Sequence, residues 1–204
     1  MNDNTELFFN ENIRSVNKVV EILLLTCAVV PLAFCVLTLL GIWRVPHDYS
    51  ALMFSYSVFS FFVAHGLNRF PKTQKIGMYF GIIAAAGFVE LLAVKNIIQV
   101  NITYAVVPFL SCLYFNKKVT ITSTITGFAL MVFALFVRSK TVLTVMATDV
   151  QVHNPHTWFI STLVGYSIEF LFIFLLALTM ANRSHKAIEL LHTQNVNLKN
   201  TQDM

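Results

Sequence analysis

The sequence predicts an all-α membrane protein, a six-transmembrane-helix bundle whose sixth helix extends into a cytoplasmic, dimerising connector. Composition indicates the class, because 56% of the residues are hydrophobic, 12% are charged and the mean hydropathy is +0.69. Such values are too apolar for a soluble globular domain of this size. A polar segment precedes the first apolar run, and that run is too long for a signal-peptide core. We therefore predict an uncleaved first span.

Six stretches approach the roughly 20 apolar residues that a helix needs to cross the hydrocarbon core. They are 19–42, 51–67, 76–94, 97–115, 120–137 and 158–181. The fourth contains Gln99, Asn101 and Pro108, so its helix is expected to start late, or to bend where neighbouring helices cover its backbone. The predicted units are a cytoplasmic segment over 1–18, a six-helix transmembrane domain over 19–181 and a connector over 182–204.

The distribution of positive charge predicts the orientation. With six spans and a cytoplasmic N-terminus, ten of the 14 Lys and Arg residues fall on the inner side and four fall outside. Cytoplasmic loops carry the excess of Lys and Arg, so both termini are predicted to be cytoplasmic, with the protein in the plasma (inner) membrane. The net charge of +4 then reflects topology, and no basic recognition motif predicts binding to nucleic acid.

Two features predict how the helices pack. The fifth span opens with TITSTITG, small and hydroxylated residues that allow close approach and hydrogen bonds to a neighbouring helix. Cys27, Cys35 and Cys112 lie inside apolar runs, which predicts free thiols that fill space rather than disulfides or metal ligands.

Glu169 lies near the middle of the sixth span, where an ionised carboxylate is costly and usually faces protein or water. Two interpretations are open. A protonated Glu169 could hydrogen-bond to a neighbouring helix and hold the bundle together, or it could form part of a ligand or ion site. Tyr166, on the same span, is included among the candidate ligand contacts.

A second group of polar residues lies near the outer ends of the helices. Glu90 lies near the outer end of the third span, and Gln99, Asn101 and His156 follow in the outer segments. In a single bundle these side chains would ring an outward-facing vestibule and bind a ligand. The alternative is that they are ordinary residues of the water interface. No catalytic motif is present, and no cofactor or metal is predicted.

The sequence after residue 181 keeps an apolar pattern and has no Gly or Pro to stop a helix. A heptad register places Ile188 and Asn195 at a positions and Leu191 and Leu198 at d positions, which predicts a short parallel coiled coil. Extended back into the membrane, this seam contains Ile160, Leu163, Ser167, Phe170, Phe174 and Ala177. Glu169 falls off the seam, so it is expected to point into its own bundle. The alternative for the tail is a solvated amphipathic helix or a disordered end.

Six spans with cytoplasmic ends, a fourth span closing as PFLSCLYFNKK and a sixth running into ANRSHKAIELLHTQNVNLKNTQDM resemble the N-terminal six-helix sensor regions of bacterial membrane signalling receptors. Those regions precede histidine-kinase, diguanylate-cyclase or class III nucleotide-cyclase domains. The terminal LKNTQDM resembles the connector that runs into the phosphoacceptor helix of sensor histidine kinases. No site residue is transferred from this resemblance.

The resemblance implies that the chain is the input half of a homodimeric receptor, from which the catalytic output domain is absent. A small or lipophilic ligand would bind among the helices and shift the position of the sixth helix. The alternative is a small-molecule transporter or the substrate-binding membrane subunit of a vitamin importer. That protein would use Glu169, Glu90 and the outer polar residues to hold its substrate, and it would need no long tail.

Overall fold

The computed structural model of this chain describes residues 3–42, 45–94, 102–145 and 155–202. These residues form seven α-helices and two short 3₁₀ turns, Pro71–Thr73 and Ile102–Ala105, without strands. The helices are α1 (Asp3–Cys27), α2 (Val29–Leu39), α3 (His47–Arg69), α4 (Gln74–Val94), α5 (Val106–Cys112), α6 (Lys117–Val145) and α7 (Pro155–Gln202). The all-α class predicted from composition is confirmed.

Five helical segments of the described chain are long and apolar enough to cross a membrane. The first is α1 and α2 together from Phe8 to Leu39, and the others are α3, α4, α6 and α7. The predicted fourth span is instead a short apolar helix, Thr103–Cys112, and residues 97–101 lie outside the described part. The helix therefore begins late, as the polar residues and Pro108 indicated, and the count of six full spans is not reproduced.

Prolines account for two of the chain's breaks. Pro31 cannot donate the backbone hydrogen bond that would reach the carbonyl of Cys27, and α1 ends at Cys27 with a turn before α2. At the end of α3, Phe70 has φ −107° and ψ 129°, the extended backbone favoured before a proline. Pro71 then opens the turn into α4. No break separates residues 3–18 from the predicted first span, because α1 is continuous from Asp3 to Cys27.

Helix α4 is the centre of the bundle and packs against α1, α3 and α6. Its small residues allow this close approach. A Cβ on Gly81 would lie 2.7 Å from a methyl group of Val20, and one on Gly87 would overlap the hydroxyl of Tyr56. That hydroxyl donates a 3.0 Å hydrogen bond to the backbone carbonyl of Ala84. Small residues thus bring α1 and α3 onto the central helix, as in other membrane bundles.

The start of α6 also packs inside the bundle, as TITSTITG predicted. Thr120, Ser123 and Thr124 are buried. Their hydroxyls donate to carbonyls about one turn earlier, that of Asn116 for Thr120 and that of Thr120 for the other two, at 3.4, 3.0 and 2.7 Å. The expected close packing is confirmed, and each of these hydroxyls also finds an acceptor in the backbone of its own segment. Thr120 in addition interacts with the side chain of Cys112 on α5. The three cysteines are free thiols, and Cys112 is buried.

Helix α7 continues without a break from Pro155 to Gln202, as the absence of Gly and Pro predicted. Its predicted membrane seam is wrong, because Phe170 and Ala177 are buried against their own bundle. The exposed face instead carries Ile168, Phe172 and Leu175. Glu169 is exposed on the flank of this outer face. The expectation that Glu169 points into its own bundle is therefore also wrong.

Candidate functional site

A buried carboxylate lies near the end of α4, between the central helix and α5. The side chain of Glu90 is only 7% exposed. Its Oε2 atom has no hydrogen-bond partner in the part of the chain that the structure describes. Leaving a buried polar atom unpaired costs about 1–3 kcal/mol, so this oxygen is suited to accept a hydrogen bond from a bound group. Glu90 is the first element of the candidate site.

Two tyrosines and an arginine extend the site from Glu90 towards α7. Tyr104, in the 3₁₀ turn before α5, lines the same small space as Glu90 and lies near Tyr166 and Arg138. The rings of Tyr104 and Tyr166 pack edge to face with their centroids 5.6 Å apart. Arg138, on α6, is buried, and its guanidinium lies 5.7 Å from the ring centroid of Trp158 on α7. Acidic, phenolic and guanidinium groups from four segments thus meet at one end of the bundle.

The free space beside Glu90 is small, at about 10 Å³, and is lined by Tyr104, Gly127 and Phe170 among others. A groove of about 280 Å³ lies between α6 and α7, with almost entirely apolar walls that include Phe128 and the same Phe170. The rings of Phe128 and Phe170 meet edge to face at 5.5 Å. Phe170 therefore stands between the α6–α7 groove and the carboxylate.

A second polar network lies at the other end of the bundle, where α1, α3, α4 and the end of α5 meet. The buried Asn17 accepts a 2.8 Å hydrogen bond from the hydroxyl of Tyr114. Its amide nitrogen donates to Asn68 Oδ1 at 2.7 Å and to the carbonyl of Gln74 at 3.0 Å. Asn68 in turn donates to Glu21 at 2.7 Å. This network ties four segments together, which suits a structural role.

The structure brings together two of the predicted ligand contacts, Glu90 and Tyr166. Glu169 lies near Tyr166 but is exposed on the flank of the outer face of α7. His156 is exposed in the first turn of α7. Gln99 and Asn101 lie outside the described residues. Of the predicted ligand contacts, Glu90 and Tyr166 thus belong to the candidate site, whereas the exposed Glu169 and His156 do not.

The structure describes the side chains of two of the four predicted connector residues. Ile188 is half-buried and Leu191 is 60% exposed. Asn195 and Leu198 lie in the helical backbone of α7, but their side chains are outside what the structure describes. Leu191 and its neighbour Leu190 therefore present an apolar exposed surface beyond the membrane span.

Sequence reasoning missed Tyr104 and Arg138. The fifth span was predicted to end at residue 137, which assigned Arg138 to a loop, whereas α6 continues to Val145. An arginine within one turn of an apolar span, on the same side as a buried acid, is the signal that would have placed it in the bundle. Tyr104 carried no comparable signal, because an aromatic residue in an apolar helix is common in lipid-facing and packing surfaces.

Comparison of the chain with protein-family models, with curated proteins and with solved structures gave no match. The fold and the site define the class as a helical membrane bundle with a buried polar site at one end and a long helix leaving the other. The function must therefore be inferred from this geometry.

Proposed function

We propose that the protein is a membrane receptor domain that binds a small or lipophilic ligand beside Glu90 and signals through α7 to a cytoplasmic catalytic output domain. The observation that carries this proposal is the continuity of α7. Phe170 of this helix lines the space beside Glu90 and Tyr166 packs against Tyr104, and the same unbroken helix reaches Gln202. A change at the site can therefore move residues far beyond the bundle.

The groove between α6 and α7 supports entry of the ligand from the lipid side. Its walls are almost entirely apolar, so it suits a hydrocarbon or aromatic portion. Displacement of the Phe170 ring would let a polar group on the ligand donate to the unpaired oxygen of Glu90. Because Phe170 is part of α7, a ligand that prefers the displaced ring also prefers a different position of this helix and shifts the population towards it.

The proposed dimer uses the outer face of α7 rather than the seam predicted from the heptads. Glu169 is the one charged residue on the exposed face of the span, and a carboxylate at this depth favours a protein or water environment over lipid. A second copy would provide that environment. Beyond the span, the exposed Leu190 and Leu191 continue the contact. The excess of Lys and Arg supports a cytoplasmic location for this end of α7.

Cysteine cross-linking in native membranes tests both the dimer and the coupling. We would replace the three native cysteines with serine and introduce Leu191→Cys, whose self-cross-linking requires two α7 helices with α-carbons within about 7 Å. We expect a covalent dimer, and a change of at least roughly twofold in its yield when Glu90→Gln is added, because the site and connector share one helix. The control is Asp48→Asn, an exposed acid in the first turn of α3. Absence of the dimer, or equal effects of both acid variants, would contradict the proposal.

A transporter remains the alternative that the buried Glu90 supports, because a carboxylate among polar neighbours inside a bundle also suits a transported substrate. The two functions differ in their need for α7 beyond the membrane. Removal of residues 184–202 would leave transport of a solute intact, whereas it would abolish the response of any cytoplasmic output to Glu90 variants. Solute uptake into vesicles that contain the shortened protein, measured with and without Glu90→Gln, distinguishes them.

A further inference from the structure

A cavity lies at the opposite end of the bundle from Glu90. It has a volume of about 610 Å³, within the range of roughly 300–1,000 Å³ typical of small-ligand sites. Its walls come from the starts of α1, α4 and α6, from the turn between α5 and α6, and from the part of α7 near His185. We call it the basic cavity.

Positive charge distinguishes the basic cavity. Lys75, Lys117 and Lys118 line it, and none of its described lining residues carries a carboxylate; Glu189 lies 3.3 Å from Nε2 of His185, which is one of those residues. All three lysines are exposed, so their side chains can turn towards a ligand. Asn10, Asn116 and Asn182 add amide groups to the same walls. Among the residues that the structure describes, no salt bridge joins these three lysines to an acid, and several cations in one concave site form a local positive field that attracts anions.

The first turn of α6 reinforces this charge. Asn116 caps the helix, accepting a 2.9 Å hydrogen bond at its Oδ1 from the backbone N–H of Lys118. The positive end of the dipole of this long helix therefore faces the cavity beside two of its lysines. Helix N-termini bind phosphate groups through the same combination of backbone amides and dipole. Here the helix N-terminus adds to the positive charge of the lysine side chains, which would be sufficient on their own to attract an anion.

The remaining wall is apolar. Phe9 and Ile13 of α1 and Met78 of α4 line the cavity beside the lysines. An inorganic anion would make no use of this surface, whereas an amphiphile would place its charged group among the lysines and its carbon chain against the apolar residues. Basic sites between transmembrane helices bind phospholipid headgroups in this way.

The backbone at the cavity is also unusual. Phe115 has φ +51°, in the left-handed region that is unfavourable for a residue with a Cβ atom. This conformation directs its carbonyl to His185 Nδ1, 3.0 Å away, while the His185 ring stacks on Phe9 at 5.4 Å. A strained residue of this kind persists only where surrounding contacts fix it, and such residues cluster at ligand sites.

We propose that the basic cavity binds a phosphate-bearing anion, with the phosphate among Lys75, Lys117 and Lys118 and any apolar portion against Phe9 and Ile13. Because His185 and Asn182 also line the cavity, the bound anion holds α7 against α1 and the α5–α6 turn just beyond the membrane span. The site is separate from Glu90, so this inference stands whether or not the protein is a receptor.

Native mass spectrometry of the delipidated full chain in detergent measures this binding directly. The probes are phosphatidylglycerol, phosphatidylcholine as its zwitterionic control, and inorganic pyrophosphate as a soluble phosphate source. The test variant is Lys75→Gln/Lys117→Gln/Lys118→Gln. The matched control is Lys72→Gln/Arg183→Gln/Lys186→Gln, which removes the same charge from exposed positions at the same end of the bundle outside the cavity.

We expect saturable binding of one anionic ligand, weakened by roughly tenfold to a hundredfold in the cavity variant and by much less in the control. Saturation by phosphatidylglycerol alone identifies a lipid headgroup, and saturation by pyrophosphate identifies a soluble phosphate compound. Equal losses in the two triple variants, or equal binding of phosphatidylcholine, would show diffuse attraction to the surface and overturn the proposal. Thermal unfolding of all three proteins confirms that these surface substitutions leave the fold unchanged.

Discussion

Removal of one hydroxyl tests the polar network that joins α1 to the end of α5. Tyr114 is 1% exposed and donates a 2.8 Å hydrogen bond to Asn17 Oδ1, and Asn17 is also 1% exposed. In Tyr114→Phe, the Asn17 oxygen stays buried with no replacement donor among its described partners. An unpaired buried acceptor costs about 1–3 kcal/mol, and hydrogen bonds between membrane helices average about 0.6 kcal/mol. We therefore expect a loss of about 1 kcal/mol in the free energy of unfolding.

Equilibrium unfolding by SDS in mixed micelles measures this loss. Tyr79→Phe is the matched control, because Tyr79 is half-buried in α4 and makes no hydrogen bond among those described. A second variant, Asn17→Leu, removes the acceptor as well as the bonds to Asn68 and Gln74. In that background Tyr114→Phe should cost much less, giving a coupling energy of about 1 kcal/mol. Equal costs for Tyr114→Phe in both backgrounds would refute the assignment of this bond.

Two further predictions concern helix packing and topology. Gly87→Ala should destabilise the protein by about 1 kcal/mol, because the added methyl group displaces the Tyr56 hydroxyl from its acceptor. This loss of stability should be smaller in a Tyr56→Phe background. The control is Gly66→Ala, which has open space around its Cβ position and should stabilise the protein by up to about 1 kcal/mol. Unfolding by SDS measures these free energies. The explanation would be contradicted if Gly87→Ala destabilised the protein equally with Tyr56 and with Phe at that position. The second prediction concerns topology and uses a protein without native cysteines. A membrane-impermeant maleimide should label His47→Cys in intact cells and Lys72→Cys only in inverted vesicles, because the basic end is predicted to be cytoplasmic. The reverse labelling pattern would exclude that orientation.

Hydropathy predicted the long helices well because the requirement to cross a hydrocarbon layer depends on length and apolar content alone. It did not predict which face of α7 packs inward. Lipid-facing and protein-facing residues of a membrane helix are equally apolar, so a heptad pattern of apolar residues does not show which face packs against protein. Residue size is the better signal, since Ala177 and Ala181 are fully buried whereas Leu175 and Leu176 are exposed, consistent with small residues at helix contacts.

The Glu90 site could be predicted only in part for a related reason. Glu90 itself was evident as an acid at the end of an apolar span. Its neighbours come from the 3₁₀ turn before α5 and from the last turns of α6, and their positions depend on where those helices begin and end. Hydropathy places such boundaries poorly, so Tyr104 and Arg138 could not be assigned to the site from sequence.

The contrast between α4 and α7 explains why α7 is the helix suited to move. In the most apolar part of each span, 67% of the α4 residues but only 11% of the α7 residues are buried. Displacement of α7 therefore breaks fewer packing contacts. From Tyr166 to His185 this helix rises roughly 30 Å, and these residues border the Glu90 site and the basic cavity respectively. Two ligands that prefer the same position of one stiff helix strengthen each other's binding by the same factor. Occupancy of the basic cavity would then set the affinity of the Glu90 site without any direct contact between them.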